Sequence, residues 1–298
     1  MSIQFVLLLA NSFCSGFIPL EPLMVAEGRQ QPLSDTTDAS SYVLATNNEG
    51  NAGNEDFQRI ESLLQTIKCN SPIRSSIDLS YCDLSLADLS NANLKNANLF
   101  GIKMHFTILS NANLIGANLT KANLFDADLP NANLVASNLN DARLLGADLR
   151  NANLAYADLP NAYLDSVDLR DARLGNADLS GATLDRARLE DADLKSAKLS
   201  NASLIDASLN NADFSCPGLG TRAERPCADV SNANLYSSIL IDADLDHANL
   251  SNANLTDANL SDADLSFANL SNATLVGANI NGTNFGNATL TGCMACPQ

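Results

Sequence analysis

The sequence predicts an all-β solenoid, a chain wound into a stack of short coils. A five-residue unit, A-[N/D]-L-x-x, repeats through most of the chain, for example in NANLKNANLF at residues 91–100. Its central residue is Leu in 26 of the 28 consecutive units from Leu79 to Phe214, and a second tract from Val230 to Leu290 adds 13 units. The residue two positions before the centre is Ala in 22 of the first 28 units. These regularities require one structural unit per five residues.

Neither a regular helix nor a flat strand fits this period. In an α-helix, at roughly 100° per residue, a five-residue step rotates successive leucines by about 140° and spreads them around the whole surface. In a flat strand, side chains alternate between faces, so an odd period sends successive leucines to opposite sides. We therefore expect a corner in every repeat, with Ala and Leu inside and the residue between them outside. Asn, Asp, Ser and Gly at the remaining positions favour such turns.

The A-[N/D]-L-x-x tract resembles the pentapeptide repeat family over about Ile77 to Leu290, which is more than two thirds of the chain. The resemblance implies a right-handed quadrilateral β-helix with four repeats in each coil. The first tract would then form seven coils, and the second a little over three. One core column would contain every fourth central residue: Leu94, Leu114, Leu134, Leu154, Leu174 and Leu194.

Changes in composition divide the chain into seven segments. The two repeat tracts are preceded by apolar, polar and amphipathic segments, and they are separated by a stretch without the repeat. We expect a signal peptide at 1–26, a flexible linker at 27–55, a capping helix at 56–70, repeat tract 1 at 71–214, a loop insertion at 215–229, repeat tract 2 at 230–290 and a C-terminal tail at 291–298.

The N-terminal segment is apolar and resembles a secretory signal peptide with cleavage after Ala26. This predicts export to a periplasm or a thylakoid lumen, with no stable membrane insertion after the signal is removed. An uncleaved anchor is the alternative, because Ile3 to Leu20 barely reaches the roughly 20 residues that a membrane span requires. A cytoplasmic location is the alternative to export.

Residues 56–68, DFQRIESLLQTIK, change from the five-residue period to a helical one. The apolar residues of this segment form one helical stripe: Phe57, Ile60, Leu63, Leu64 and Ile67. An open coil end would expose apolar side chains and unpaired strand edges. The sequence therefore predicts a short N-terminal capping α-helix, and an amphipathic helix that binds a partner is the alternative.

Six cysteines follow Cys14, and each local pair brackets a place where the repeat begins, breaks or ends. The pairs are Cys69 and Cys82, Cys216 and Cys227, and Cys293 and Cys296. Six cysteines allow 15 pairings in principle, but cross-links at these places would be the most useful in an oxidising compartment. Zinc binding is a weak alternative because the chain has only two histidines. A thioredoxin-like role is also not favoured, because no βαβ pattern surrounds Cys293 and Cys296.

Residues 215–228, SCPGLGTRAERPCA, interrupt the repeat. We expect a loop of about 11 extra residues that leaves a corner after the seventh coil. Its tip carries Arg222, Glu224 and Arg225, a basic cluster on an acidic chain. Exposed loops on rigid scaffolds often carry function, so this tip is a candidate partner-binding loop. A tolerated insertion without function is the alternative.

The chain has 34 acidic and 17 basic residues and a formal net charge of −17. This charge argues against nucleic-acid binding through phosphates. No residue pattern indicates catalysis, a cofactor or a metal, and a convex solenoid is expected to have no cleft. The leading hypothesis is a non-catalytic, exported, monomeric scaffold or interaction module with an unknown protein partner. The alternative comes from another branch of the family, cytoplasmic acidic DNA mimics that bind a type II topoisomerase such as DNA gyrase.

Overall fold

The computed structural model describes residues 65–66, 68–217 and 226–297, all within the compact unit Asn54–Gln298. The predicted signal peptide, the predicted linker, most of the predicted capping helix and the tip of the predicted loop lie outside these residues. Within the described part, four residues are helical, 65–66 and 68–69, and the β-structure consists of single bridge residues.

The repeats form coils of 20 residues that are stacked in parallel. Each bridge residue pairs with the residue 20 positions later, as Asn93 pairs with Asn113, and four such bridges occur per coil. The bridge residues define four faces. Face 1 begins at Asp78, face 2 at Asp83, face 3 at Asp88 and face 4 at Asn93. Successive faces meet at two-residue corners, so each coil has four sides.

The two-residue corners are tight turns that the sequence supports locally. The N–H of Cys82 donates to the carbonyl of Leu79 at 3.1 Å, and the residue before Cys82 has a φ of 60°. This combination is that of a type II turn, which requires positive φ at its third position and favours Pro at its second. Asn, Asp, Ser and Gly fill most third positions, and Pro130 and Pro160 occupy second positions. The turn explains why the repeat has five residues.

Hydrogen bonds along the stack hold consecutive coils together. The N–H of Leu114 donates to the carbonyl of Asn133 at 2.7 Å, and the N–H of Asn113 donates to the carbonyl of Ala92 at 2.9 Å. Outward asparagines add side-chain bonds between coils, as where the Asn118 amide donates to Asn98 Oδ1 at 3.2 Å. Because every interior coil bonds to two neighbours, the coils stabilise one another as in other repeat proteins.

The core is a continuous array of Leu and Ala. The six leucines of the predicted core column are fully buried: Leu94, Leu114, Leu134, Leu154, Leu174 and Leu194. One buried Leu contributes about 1.5–3 kcal/mol, whereas ordering the backbone of one residue costs about 1–2 kcal/mol. A five-residue repeat with one Leu and one Ala therefore cannot be stable alone, and stability depends on stacking.

The stack continues across the insertion between the tracts. Lys198 bridges to Asp229, a separation of 31 residues instead of the usual 20, so eleven additional residues leave and rejoin the coil at one corner. The insertion leaves after Phe214, which is itself 1% exposed, and Val230 begins the next coil in the core. Tract 2 therefore extends the same four faces as tract 1.

The two ends of the described stack differ. At the first coil, Lys68 at the end of the helical residues donates to the Ser80 carbonyl at 3.0 Å and pairs with Asp78 at 3.1 Å. The rest of the predicted capping helix lies outside the described residues and stays a prediction. In the last coil, the central residues Ile280, Phe285 and Leu290 are only partly buried, unlike the central leucines of the middle coils. Among the described residues, none covers this last layer.

Candidate interaction surface

The loop that the sequence singles out is described only at its base. Cys216 and Cys227 close it, with their Cα atoms 4.2 Å apart. The hydroxyl of Ser196 donates a short hydrogen bond to the carbonyl of Pro226, which anchors the returning chain. The tip residues Arg222, Glu224 and Arg225 lie outside the described residues. Their role in binding a partner remains a prediction.

The structure joins the cysteines in three disulfides, Cys69–Cys82, Cys216–Cys227 and Cys293–Cys296. The Cα atoms of Cys69 and Cys82 are 5.4 Å apart, and those of Cys293 and Cys296 are 5.8 Å apart. In the described part of the chain, no group of three or more His, Cys, Asp or Glu side chains is arranged to hold a metal ion. The described residues also include no helix long and apolar enough to cross a bilayer.

The outer surface of the described coils carries a dense group of large side chains that the repeat does not require. Side chains on face 2 and on the corners at its two edges converge across the second to fifth coils of tract 1. We name this group the face 2 patch, and its members are Lys103, His105, Phe106, Lys121, Asn123, Phe125, Arg143, Leu145 and Tyr163. Most of the outward positions on the other faces carry Asn, Asp or Ser.

The solenoid positions these side chains by its 20-residue period. Lys103, Asn123, Arg143 and Tyr163 are consecutive bridge residues of face 2. Asn123 is much shorter than the residues on either side, so it leaves a depression between them. Two open depressions of about 430 and 420 Å³ share Asn123, Arg143 and Tyr163 among their lining residues. Unequal side chains therefore shape two open depressions on this face, which the repeat pattern alone does not predict.

Two contacts of aromatic rings hold side chains of the patch in position. The rings of Phe106 and Phe125 meet edge to face with their centroids 5.6 Å apart. The guanidinium carbon of Arg143 lies 6.0 Å from the centroid of Tyr163, a separation compatible with a cation–π contact. Phe106 is 50% exposed and Tyr163 is 49% exposed. Both rings are therefore held in position and remain accessible from solvent.

The cations of this patch differ from those on face 3 in their pairing. On face 3, Arg170 donates to Asp168 at 2.8 Å, and Arg188 lies 3.6 Å from the same carboxylate. Burial acts to raise the pKa of Asp168, but the hydrogen bonds and charge of Arg170 outweigh it and the pKa is lowered. By contrast, Lys121 and Arg143 form no ion pair with any residue that the structure describes.

Sequence reasoning missed the face 2 patch although its signal is visible. Phe106 occupies a third turn position, with a φ of 54°, where the chain usually places Asn, Asp, Ser or Gly. Leu86 occupies the equivalent position one coil earlier, and it is 76% exposed. Bulky side chains seldom adopt this backbone conformation. Folding the sequence into rows of 20 residues brings these exceptions and the three cations together.

Known structures provide a comparison for the whole repeat region. HetL, a pentapeptide repeat protein involved in heterocyst differentiation regulation from the cyanobacterium Nostoc sp. strain PCC 7120, is 28% identical, with 78% of this chain and 95% of HetL covered and a TM-score of 0.34. Rfr23 from the cyanobacterium Cyanothece 51142 is 32% identical, with 38% of this chain and 63% of Rfr23 covered and a TM-score of 0.24. A pentapeptide repeat protein from the Arabidopsis thaliana thylakoid lumen is 27% identical, with 44% of this chain and 70% of that chain covered and a TM-score of 0.26.

A search of curated proteins gave no significant match. The family model for pentapeptide repeats matches eight copies in this chain, over residues 75–105, 101–141, 132–171, 147–186, 187–216, 227–257 and 258–293. These matches span most of the two repeat tracts. The resemblance noted from the sequence is confirmed, and the right-handed β-helix that it implies is the fold of this family. The chain belongs to the pentapeptide repeat family.

Proposed function

We propose that this chain is a non-catalytic, exported protein that acts as a structural scaffold or protein-interaction module. The face 2 patch is the observation that carries the proposal, because it places exposed aromatic rings next to Lys121 and Arg143, two cations that pair with no carboxylate among the described residues. Aromatic residues and Arg are enriched at the core of protein–protein interfaces relative to the rest of the surface. The buried Leu and Ala array fills the interior of the described coils and makes the solenoid a rigid support for this surface.

Export is supported by two independent features of the chain. The first is the apolar N-terminal segment that resembles a signal peptide. The second is the set of three cysteine pairs, each at a place where the repeat begins, breaks or ends. Disulfides persist in oxidising compartments and are rare in the cytosol. Together they favour a periplasm or a thylakoid lumen.

Mass spectrometry of the natural protein tests export directly. The expected mature chain begins near Glu27 and has all six thiols of the three pairs oxidised. A protein that retains Met1 and has free thiols contradicts export. Alkylation with iodoacetamide before and after reduction separates the two results, because each free thiol gains one carbamidomethyl group before reduction.

The interaction role is tested by recovery of a partner on the immobilised mature protein, with chemical cross-linking. A variant that lacks residues 217–226 shows whether the loop contributes. Loss of the partner in this variant supports a binding role for the loop, and equal recovery assigns binding to another surface. If no specific partner is recovered by either protein, a purely structural role is favoured.

The alternative function is an acidic DNA mimic that binds a type II topoisomerase such as DNA gyrase. One observation favours it: residues 226–298 contain seven Asp and no Lys or Arg. Export and disulfide formation oppose it, because gyrase acts in the cytoplasm. A supercoiling assay with purified gyrase provides the test. Inhibition at micromolar concentrations of the disulfide-bonded protein would favour the mimic, and full supercoiling at those concentrations would exclude it.

A further inference from the structure

The charge of the face 2 patch contrasts with that of the whole chain. The chain has a formal net charge of −17, yet Lys103, Lys121 and Arg143 cluster on three consecutive coils. Lys103 makes one loose ion pair, with Asp83 at 3.8 Å, and its side chain is 59% exposed. Such exposed pairs contribute about 0–1 kcal/mol and are easily exchanged. The patch therefore presents three cations that are available to an external anion.

Two carboxylates also line the depressions, Asp165 in one and Asp141 in the other. Within the described part of the chain, neither comes within ion-pair distance of Lys121 or Arg143. Asp165 instead accepts a hydrogen bond from the Thr183 hydroxyl at 2.7 Å. These carboxylates therefore leave both cations free to pair with a ligand.

Apolar side chains lie beside the cations. One depression is lined by Phe125, Leu145 and Tyr163 together with Arg143. The other is lined by Lys103, Lys121 and Arg143 together with Tyr163. Because Arg143 and Tyr163 belong to both, an apolar group and a carboxylate from one ligand would bind side by side. Arg and Tyr are also among the residue types that most often dominate binding energy at protein interfaces.

We propose that the face 2 patch binds an acidic, extended segment of a partner protein, with one aromatic or aliphatic side chain inserted next to its carboxylates. This proposal rests on the proposed interaction role and specifies its surface and the class of its partner. The ligand's apolar side chain would contact Phe125 and Leu145, and its carboxylates would pair with Lys121 and Arg143. The bidentate geometry of Arg suits a carboxylate particularly well.

Two features favour a protein segment over an anionic membrane or a nucleic acid. The depressions are local and lie between longer side chains, whereas a bilayer surface offers a broad and level contact. In addition, a net charge of −17 repels extended polyanions such as phosphate backbones or lipid headgroup layers. A short acidic segment experiences mainly the charges that line the depressions, which are three cations and the two carboxylates Asp141 and Asp165, because distant charges are screened beyond about 10 Å.

Fluorescence anisotropy with defined peptides tests the proposal on the disulfide-bonded protein. The probe is a short fluorescein-labelled peptide of Asp and Glu with one central Phe, and the control probes replace Phe with Ala or the acids with Lys. We expect Arg143→Glu and Lys121→Glu each to lower the affinity for the Phe probe about tenfold, which corresponds to a loss of about 1.4 kcal/mol of binding free energy. Any binding of the lysine probe to the acidic surface should not be weakened by Arg143→Glu or Lys121→Glu, and the Ala probe should bind more weakly than the Phe probe.

Arg173→Glu is the matched control. Arg173 is an exposed bridge residue of face 4 that forms no ion pair with a described residue, and its replacement changes the net charge by the same amount. It should alter binding less than about twofold, since its charge lies on another face. Equal losses for Arg143→Glu and Arg173→Glu would overturn the proposal, because only net charge would then matter.

Two further results would also overturn it: no binding of the Phe probe to the wild-type protein, or binding of phosphatidylglycerol vesicles instead of the probe. Equal melting temperatures of the three variants and the wild type verify that the variants fold. Cross-linking of a natural partner then separates this proposal from the broader function. Equal capture by wild type and Arg143→Glu would reject the patch while retaining an interaction role.

Discussion

Asp244 lies between Asp213 and Asp264 on face 4, bridged to one on each side along the stack. Burial raises the pKa of Asp244, and the negative charges of Asp213, Asp264 and Asp246 raise it further. Asp213 differs, because Lys195 pairs with it and its pKa is lowered despite burial. Face 4 therefore holds a row of carboxylates in which Asp244 forms no ion pair with a described residue.

We predict that Asp244→Asn stabilises the protein at pH 7. The raised pKa means that the folded state binds its proton more tightly than the unfolded state, so ionisation of Asp244 opposes folding above its folded pKa. The gain should be below about 1 kcal/mol for a partly exposed group, and it should vanish as the pH falls below the ordinary Asp pKa of about 3.9. Asn retains the oxygen that accepts the N–H of Asp246 at 3.0 Å.

The control for this prediction is Asp148→Asn, which should have the opposite sign. Hydrogen bonds from Arg150 lower the pKa of Asp148, so its ionised form favours folding. That contribution is present above the unfolded pKa and is lost as the pH falls through the folded value. Urea denaturation of both variants at pH 7 and pH 3 measures the two effects. Equal signs at pH 7 would contradict this account of the two carboxylates.

A second prediction compares two neighbouring residues, Leu154 in the core and Asn153 on the outer surface. Leu154→Asp should abolish cooperative folding or cost more than about 4 kcal/mol, because it buries an unpaired charge in the fully buried column. Asn153→Asp should change the stability by less than about 0.5 kcal/mol, since this side chain faces outward and only the backbone of Asn153 pairs with that of Arg173. Circular dichroism during thermal unfolding distinguishes the two variants. A mild effect of Leu154→Asp would contradict the packed core.

The sequence predicts the interior of this protein better than its surface. The period of five follows from the turn at each corner, so the repeat alone assigns Leu134 and Ala132 to the core. Residue type is less constrained at outward positions, because Asn123 and Arg143 are both compatible with exposure to solvent. The patch arises from residues 20 positions apart, and no local pattern links them. The number of repeats also does not indicate that Phe285, in the last coil, is only partly buried.

The third prediction tests whether the corner residues of the patch region reflect function instead of stability. Leu86 has a φ of 64° and is 76% exposed. Leu86→Asn should raise the free energy of unfolding by about 0.5–1 kcal/mol, because Asn tolerates the left-handed conformation better than Leu. Differential scanning calorimetry measures the change. A decrease in stability would show that Leu86 contributes to packing.

The reverse change at an equivalent corner provides the matched control. Asn91 also has a left-handed backbone, with a φ of 60°, one corner after Leu86. Asn91→Leu should therefore lower the free energy of unfolding by a similar amount, about 0.5–1 kcal/mol. If Asn and Leu are equivalent at both corners, backbone conformation does not determine residue choice there.

The last prediction concerns the disulfide at the first coil. Cys82 occupies an inward position where most repeats have Ala, and it is 1% exposed. The double change Cys69→Ser with Cys82→Ala therefore removes the cross-link while leaving the residue that the core prefers. The cross-link closes a loop of 13 residues, and its removal should lower the free energy of unfolding by about 3 kcal/mol in the chain-entropy model. The loss should appear in the non-reduced melting temperature and disappear when both proteins are measured in dithiothreitol. The polar contacts of Lys68 with Ser80 remain in the variant. If residues 65–66 and 68–69 nevertheless lose their helical structure, the disulfide, and not these contacts, holds them against the first coil.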